Sequence, residues 1–400
     1  MDLISAHPFW PSQAERPAVY PALEEDLDCE VLVLGGGITG AFIAYHLVKE
    51  GLNVVLLDKR NVGRGSTAAS TALVEYEIDT SLTDLAKMIG QKDAEEAYRI
   101  CRDSIGKIET IVGELKEPSG FRRKKSVYLA SQKRDAELLR EECAARHAAG
   151  IAVEYLDERE LDAMFSFQRP AALLSPDAAE VDPYRLTHQL LAHAADCGLR
   201  IYERTEAGKH QTNGNGITSE TTRGPKVTAR HVVFATGYES VEFLPRQVAQ
   251  LKSTFAFVSR PLTGFAGWWE QCLIWETARP YFYLRTTPDG RALMGGEDVP
   301  FRDPAGRDRL LPEKTEQLAA RFREMFPGID LEVDSSWAGT FAETKDGLAY
   351  IGSVPEFPRH LFALGFGGNG ITYGAIAAEI IRDQILQRPN AAARLFRFDR

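Results

Sequence analysis

Three glycines and one acidic residue near the start of the chain have the types and spacing that bind a dinucleotide. Gly35, Gly37 and Gly40 follow the pattern G-x-G-x-x-G, and Asp58 comes about 20 residues after them. The first two glycines allow a tight turn and close approach of the backbone to a pyrophosphate, and the third lets a helix pack closely on a strand. Asp58 can accept hydrogen bonds from both ribose hydroxyls of an adenosine half. The predicted contacts of this unit are Gly35, Gly37, Ile38, Thr39, Gly40, Asp58 and Lys59.

The residues around this motif predict the strand–helix–strand unit that would position it. Residues 31–34 and 54–57 are short apolar runs typical of buried strands, and an amphipathic helix covers residues 41–48. Another kind of α/β protein with a Gly-rich turn is the alternative interpretation. Residues 31–48 are almost uncharged and nearly long enough to span a membrane, but a triple glycine interrupts them. We therefore assign them to a protein core.

The composition of the chain excludes several other classes of function. The chain has 400 residues, which predicts two domains, and a net charge of −10, which argues against a nucleic-acid partner. The first residues lack the pattern of a secretory signal, and five cysteines are scattered without metal-binding spacing. We therefore expect a cytoplasmic enzyme with no metal site and no membrane span. The basic run at residues 122–125 is interpreted as a solvated strand entrance, with an anion-docking patch as the alternative.

Three further segments indicate that the dinucleotide is FAD, because distant segments must cover the flavin end of an extended FAD molecule. Residues 63–72 combine small and hydroxyl side chains at the start of a helix, residues 230–237 form a strand that ends in a small-residue turn, and residues 363–381 lead through a Gly-rich turn into an apolar helix. Free N–H groups at such helix starts can meet phosphate or flavin oxygens. The predicted contacts are Gly65, Ser66, Thr67, Ala68, Ser70, Thr71, Thr236, Gly237, Gly367, Gly368, Asn369, Gly370, Ile371 and Thr372.

Over nearly its whole length the chain resembles the D-amino-acid-oxidase-type (DAO) FAD-dependent oxidoreductases, which include glycine oxidase, sarcosine oxidase and γ-glutamylputrescine oxidoreductase. Trp10 and the segment YPAL at residues 20–23 resemble the γ-glutamylputrescine oxidoreductase members most. The resemblance implies a mixed α/β and α+β fold, in which a Rossmann-type FAD-binding domain carries a substrate domain whose antiparallel sheet lies over the flavin. The motifs that carry it are VLVLGGGITG, GRGSTAAST, EVDP, VVFATG, KDGLAYIG and GFGGNGITYG.

The expected domains are discontinuous in sequence. Residues 1–76, 175–245 and 336–400 would form the FAD-binding domain, and residues 77–174 and 246–335 the substrate domain. In the first domain, Asn-Gly pairs at residues 213–216 predict a hairpin. In the second, mostly apolar residues that recur every three or four positions from Ile100 to Leu115 predict a helix. A further helix is expected over residues 312–326. Strands are expected over residues 252–258, 281–285 and 292–295.

The resemblance also draws attention to what the flavin-facing positions lack. Glycine-oxidase-like members carry an arginine where this chain has Phe341, and some carry another where it has Gly368. Sarcosine-oxidase-like members have a lysine where this chain has Thr372, and a flavin-linked cysteine where it has Gly339. A carboxylate substrate would therefore need another anchor, and we expect the FAD to be held without that covalent link.

The segment YFYLR, residues 281–285, would belong to the antiparallel sheet over the flavin, and it supplies the remaining candidates for substrate contact. Tyr281, Tyr283 and Arg285 share one face by strand alternation. They would line the cavity with two phenols and a guanidinium, or this face of the sheet would pack on a helix. For Arg285 alone, an outward-facing salt-bridge residue is the alternative. Glu75 and Glu77 would receive an ammonium group or cap the domain junction.

These observations predict an FAD-dependent oxidoreductase that oxidises a C–N bond of an amine or N-substituted amino acid. Hydride transfer to flavin N5 would give an imine, which water hydrolyses, and a neutral amine would require no dedicated protein base. The expected partners are a small amine substrate and oxygen or another electron acceptor; no oligomeric state is predicted. Two alternatives remain open, a dehydrogenase that passes electrons to an acceptor other than oxygen and a redox-inert FAD-binding subunit. The candidate substrate-site residues are Tyr281, Tyr283, Arg285, Phe341 and Thr372.

Overall fold

The computed structural model describes residues 2–13, 17–214, 216–244 and 247–400. The helices are Phe9–Ser12 (α1), Ile38–Lys49 (α2), Ser66–Ala69 (α3), Leu82–Ile89 (α4), Gln91–Glu114 (α5), Asp135–Ala148 (α6), Glu158–Met164 (α7), Pro183–Asp196 (α8), Pro304–Met325 (α9), Gly370–Ile385 (α10) and Ala393–Phe396 (α11). The strands are Leu27–Leu34 (β1), Val54–Leu57 (β2), Leu73–Glu75 (β3), Arg122–Leu129 (β4), Glu154–Asp157 (β5), Ala171–Glu180 (β6), Arg200–Tyr202 (β7), Ala207–Asn213 (β8), Gly216–Thr221 (β9), Lys226–Phe234 (β10), Gln250–Ser259 (β11), Leu273–Glu276 (β12), Phe282–Thr286 (β13), Ala292–Pro300 (β14), Val333–Glu343 (β15), Tyr350–Ser353 (β16) and His360–Leu364 (β17).

The first sheet has the strand order β16-β17-β10-β1-β2-β7, and the hairpin of β8 and β9 extends it from β10. The strands from β17 to β7 run parallel. Alternation along β1 divides its side chains between two cores: Val31 and Val33 pack on the helical side with α2, α8 and α10, and Leu32 and Leu34 pack on the other side. Burial on both faces explains the nearly continuous apolar runs of β1 and β2.

The second sheet has the order β15-β11-β14-β13-β12-β4-β6-β3, with β5 paired to β6. Its pairs are antiparallel except for β12 and β4, which run parallel. Phe255 and Phe257 of β11 face α9, where Phe322 covers them. The alternate residues Thr254 and Ala256 point to the opposite face. These two sheets confirm the mixed fold class, and the predicted strands and hairpin are all present, although Asn215 in the hairpin turn lies outside the described residues.

One predicted helix begins at a different residue. The helix expected over residues 312–326 starts eight positions earlier, at Pro304, where the Asp303 side chain accepts a hydrogen bond from the Gly306 N–H (2.7 Å). Pro312 therefore lies inside α9 instead of starting it, because the Asp303-Pro304 pair is the stronger N-terminal signal.

The proposed domain boundaries remain a prediction. The strand pairing crosses these boundaries at two places. β3 and β6 pair with each other in the second sheet, and β15 pairs there with β11. The boundary at residues 245 and 246 lies outside the described residues. Within the described part of the chain, no helix combines the length and apolar character needed to cross a bilayer.

Candidate active site

A long cavity lies between the two sheets. On one side it is lined at the carboxyl ends of parallel strands, by Leu34 at the end of β1 and Leu57 at the end of β2. On the other side the second sheet contributes Thr254 of β11, Tyr283 of β13 and Gly339 of β15. Ligands of open α/β sheets bind outside the carboxyl ends of the strands, so the cavity lies where the sequence motifs predict a ligand.

The Gly-rich turn after β1 lines one end of this cavity. Gly35 has a φ of +105°, and a Cβ there would lie 2.4 Å from the Ala235 carbonyl oxygen. At Gly37 a Cβ would lie 3.0 Å from the hydroxyl of Thr67, which accepts a hydrogen bond from the first N–H of α2 (3.0 Å). Gly40 does not line the cavity, because its Cα faces the Gly35 carbonyl oxygen, 1.9 Å from where a Cβ would be. This close approach of helix and strand is the packing role expected of the third glycine, and Gly40 does not itself border the ligand cavity.

Asp58 lines the cavity at the end of β2 and organises the backbone around it. Its carboxylate accepts hydrogen bonds from the backbone N–H groups of Gly36 and Arg60, at 2.7 Å each. Burial raises the pKa of Asp58 in spite of these two bonds. The side chains of Lys59 and Arg60 both contact the carboxylate of Glu239, at 2.8 and 3.2 Å. The charges at this end of the cavity are therefore largely compensated.

The short helix α3 presents polar groups to the middle of the cavity. The Ser66 hydroxyl lines the cavity, is buried, and has no hydrogen-bond partner within the described residues. Two indoles hold the end of α3 from the opposite side: Trp10 donates to the Ser70 carbonyl (2.6 Å), and Trp337 donates to the Ala69 carbonyl (2.9 Å). The N-terminal leader, residues 2–13, thus supports α3 through Trp10 and borders the cavity through Leu3.

The Gly-rich turn before α10 closes the same region. Asn369 precedes the helix, and its side-chain amide donates to the Glu77 carbonyl (2.5 Å). Thr372 lies one turn further, where its hydroxyl donates to the Glu75 carbonyl (2.9 Å) and its side chain is buried. Thr372 does not line the cavity, so its predicted contacts with cofactor and substrate are not formed. The hydrogen bond to β3 turns its side chain away.

Aromatic side chains from the second sheet cover the cavity. The rings of Tyr281 and Tyr283 lie 5.7 Å apart, and the Tyr283 hydroxyl is 3.1 Å from that of Thr254. Phe341 and Trp275 also line this end, and we call these four aromatic side chains the aromatic roof. Burial holds the pKa of both tyrosines above the ordinary range, so their hydroxyls keep their protons and remain hydrogen-bond donors.

Arg285 shares the face of the two tyrosines, as alternation predicts, but it lies outside the cavity. It is fully buried and its guanidinium donates to the carbonyls of Ala72 (2.7 Å) and Val181 (2.9 Å). It also lies 3.4 Å from the carboxylate of Glu180, and burial lowers its pKa to about 10. Both expectations for this residue, a substrate anchor and an outward-facing salt bridge, are wrong. Arg285 instead ties β13 to the segments on either side of the cavity.

Three acidic side chains at alternating positions line the cavity below the aromatic roof. Glu75 ends β3 and accepts a hydrogen bond from the Ser126 hydroxyl (2.5 Å). Glu77 contacts the buried guanidinium of Arg146 (3.1 Å). Asp79 accepts a hydrogen bond from the backbone N–H of Gly368 (3.2 Å). Burial raises the pKa of all three carboxyls, and the neighbouring charge of Glu77 raises that of Glu75 further.

The structure brings most of the predicted site residues to this one cavity. Four of them lie outside it, namely Gly40, Ala68, Arg285 and Thr372; Ala68 is buried in α3. Those that line it are Gly35, Gly37, Ile38, Thr39, Asp58, Lys59, Gly65, Ser66, Thr67, Ser70, Thr71, Thr236, Gly237, Tyr281, Tyr283, Gly339, Phe341, Gly367, Gly368, Asn369, Gly370 and Ile371.

Comparison with known proteins identifies the family. The model of the DAO family, described as FAD dependent oxidoreductase, matches residues 30–384. The chain belongs to the DAO family. Glycine oxidase of Bacillus licheniformis is 27% identical to this DAO-family chain over 384 residues, which cover 90% of the chain and 94% of that protein. γ-Glutamylputrescine oxidoreductase of Escherichia coli is 24% identical over 402 residues, covering 94% and 88%. The solved structure of glycine oxidase from Geobacillus kaustophilus has a TM-score of 0.77 at 23% identity, covering 91% of this chain and 96% of its own.

FAD is the cofactor of this DAO-family flavoprotein, and the cavity has the features needed to hold it. Gly37 leaves room between the start of α2 and Thr67 that a Cβ would fill. The unpartnered hydroxyl of Ser66 offers a buried polar group to a ligand with many acceptor oxygens. Asp58 presents a carboxylate at the end of β2, where a ribose is bound in Rossmann-type folds.

Sequence reasoning missed several residues of the cavity wall. The turn after β10 contributes Tyr238, whose hydroxyl donates to the Gly367 carbonyl (3.0 Å), and Phe243. Thr205 and Glu206 follow β7 and line the end near Asp58. Both segments follow strands of the parallel sheet, so the strand order would have revealed them, although no motif marks them. Asp79 continues the alternation of Glu75 and Glu77, and that signal was present in the sequence.

Proposed function

We propose that this DAO-family flavoprotein oxidises a C–N bond of an amine, or of an N-substituted amino acid, and that it prefers substrates without a carboxylate. The observation that carries the proposal is the sign of the charges along the cavity. Among the described lining residues, the cations are Lys59 and Arg60, both at the Asp58 end. The end under the aromatic roof carries carboxylates instead. A carboxylate substrate there would be desolvated with no cationic partner.

FAD would be held by the residues of the Gly-rich turns, α3 and Asp58 that line the cavity, without a covalent link at Gly339. When bound, FAD supplies the hydride acceptor for amine oxidation. The chain's own residues would bind the amine, exclude water and orient the reacting C–H bond. The phenols of Tyr281 and Tyr283 would donate hydrogen bonds, and Phe341 would offer an apolar or cation-attracting face to an N-substituent.

The first test is anaerobic reduction of the flavin by a panel of amines. Bleaching by an amine is expected, and subsequent exposure to air then separates an oxidase from a dehydrogenase. A flavin that no amine or N-substituted amino acid reduces would leave the redox-inert subunit as the better interpretation.

The second test addresses the missing carboxylate anchor. We expect the wild type to favour dimethylamine over sarcosine, which differs from it by one carboxylate. Phe341→Arg should shift the ratio of kcat/KM values toward sarcosine by at least roughly tenfold, because a bidentate arginine–carboxylate pair forms. Phe341→Leu is the matched control, since it removes the ring without adding charge. A wild type that already prefers sarcosine would refute the proposed preference.

A further inference from the structure

We infer that Glu75, Glu77 and Asp79 form a binding site for a second cationic group of the substrate, so that the substrate class is a diamine or an amine that carries another ammonium group. This inference rests on the proposed amine oxidation and specifies its substrate. We call the three residues the acidic wall. All three line the same cavity as the aromatic roof.

The acidic wall has more negative groups than the protein provides cations for. Arg146 lies 3.1 Å from Glu77, but it also pairs with Glu142 at 2.9 Å, so one guanidinium serves two carboxylates. Glu142 accepts further hydrogen bonds from two backbone N–H groups at the start of α4. The positive charge of Arg146 therefore compensates the carboxylate of Glu77 only in part.

The two other carboxylates receive still less compensation. The hydrogen bond to Glu75 comes from the neutral hydroxyl of Ser126. The Arg279 guanidinium donates to the backbone carbonyl of Asp79 (3.4 Å) and not to its carboxylate. Nearby Lys252 is paired with Glu343 at 2.6 Å. Among the residues that the structure describes, the Asp79 carboxylate therefore has no ion-pair partner of its own.

An unpartnered atom shows where a ligand would complete the wall. Oε2 of Glu77 is buried and has no hydrogen-bond partner within the described residues, and the side chain is 2% exposed. A buried carboxylate oxygen without a donor is costly, and an ammonium group supplies up to three donors. Burial raises the pKa of each carboxyl of the wall, as expected where the protein does not itself balance the charge.

The chemistry of amine oxidation separates this group from the reacting nitrogen. The reacting amine must be neutral, because its lone pair forms the C=N bond as hydride leaves the adjacent carbon. A neutral nitrogen gains little from these carboxyl groups, whereas a non-reacting ammonium forms charge-assisted hydrogen bonds with Glu77 and Asp79, and its positive charge favours loss of the proton that Glu75 otherwise keeps. The acidic wall therefore matches the part of the substrate that does not react.

Calorimetric binding to the oxidised holoenzyme under anaerobic conditions tests the inference. The ligands are α,ω-diaminoalkanes of increasing length, each compared with the n-alkylamine of the same length. We expect at least one diamine to bind roughly tenfold to a hundredfold more tightly than its monoamine partner. Asp79→Asn should remove most of that difference, measured as the ratio of diamine to monoamine affinity within the same variant. Glu220→Gln, an exposed acid on β9, is the control for net charge.

The outcomes distinguish the two proposals. Equal binding of diamine and monoamine by the wild type would overturn the acidic wall as a cation site, and this comparison requires no variant. A ratio of diamine to monoamine affinity in Asp79→Asn equal to that of wild type would overturn it as well. If monoamines reduce the flavin and bind as tightly as diamines, the proposed function stands and the inference fails. If diamines bind more tightly but no amine reduces the flavin, the cation site stands and the proposed function fails.

Discussion

Asp58 offers the most direct test of how the nucleotide end of the cavity is built. Its carboxylate holds two backbone N–H groups, of Gly36 and Arg60, at 2.7 Å each. A hydrogen bond to a charged group contributes about 1.5–3 kcal/mol, so Asp58→Ala should lower the free energy of unfolding by about 3 kcal/mol, taking the lower value twice. Asp58→Asn keeps one acceptor oxygen and should lose about half of that. Because Asp58 itself lines the cavity, where its carboxylate would accept the ribose hydroxyls, FAD affinity should also fall.

The size of the affinity loss follows from the ribose hydroxyl bonds that Asp58 would accept, each worth at least about 1.5 kcal/mol to a charged acceptor. At about 1.4 kcal/mol per factor of ten, the expected increase in the Kd of FAD is roughly tenfold for the asparagine variant and a hundredfold for the alanine variant. Equilibrium dialysis of the apoprotein gives the Kd, and urea denaturation gives the unfolding free energy. Asp28→Asn, an exposed acid at the start of β1, is the matched control. A normal Kd in a destabilised alanine variant would show that Asp58 supports the fold only, and no change in either quantity would refute the reasoning.

Three further predictions follow from buried groups. Burial raises the pKa of Glu75, so the folded protein keeps a proton that the unfolded chain loses as pH rises above about 4.5. The free energy of unfolding should therefore fall with pH from there up to the raised pKa. It should fall less in Glu75→Gln, and urea denaturation at several pH values measures both. Trp10→Phe removes the hydrogen bond to Ser70, so stability should drop by about 1 kcal/mol and FAD should dissociate faster, measured by the rise of free flavin fluorescence. Arg285→Met removes the charged donor to the buried carbonyls of Ala72 and Val181 and should cost about 3 kcal/mol of stability in a thermal or urea titration, and the ratio of activities on sarcosine and dimethylamine should stay as in wild type. Each assignment has an outcome that would contradict it. For Glu75→Gln this is a wild-type pH profile of stability, for Trp10→Phe it is unchanged stability and FAD release, and for Arg285→Met it is wild-type stability.

The nucleotide-binding half was predictable because its signals are local in sequence. The turn at Gly35 and Gly37 and the acid at Asp58 belong to one strand–helix–strand unit, whose spacing alone determines which groups meet. The start of α9 shows the limit of a local signal. Pro312 resembles a helix start, but the stronger capping pair at Asp303 and Pro304 begins the helix eight residues earlier.

The substrate half was less predictable, because strand alternation gives the face of a residue but not what covers that face. Tyr281, Tyr283 and Arg285 do share one face, yet the cavity ends before Arg285, where Trp10 of the leader packs 5.3 Å from its guanidinium. The leader reaches this position by pairing with β15, through a bridge between Ile4 and Gly339. No local pattern in the sequence indicates that pairing.

The missing cations and the acidic wall are two aspects of one change in the charge of the cavity. Gly368 occupies a position where the family resemblance implies an arginine in some members. A Cβ on Gly368 would lie 3.7 Å from both the Asp79 carboxylate and the Tyr281 hydroxyl. An arginine at this position would begin beside the acidic wall and could neutralise it. The absence of that cation and the presence of Asp79 therefore have the same effect. Each makes the electrostatic potential beside the acidic wall more negative. A site arranged in this way repels a carboxylate and attracts an ammonium group, which connects the amine preference to the substrate class inferred from the wall.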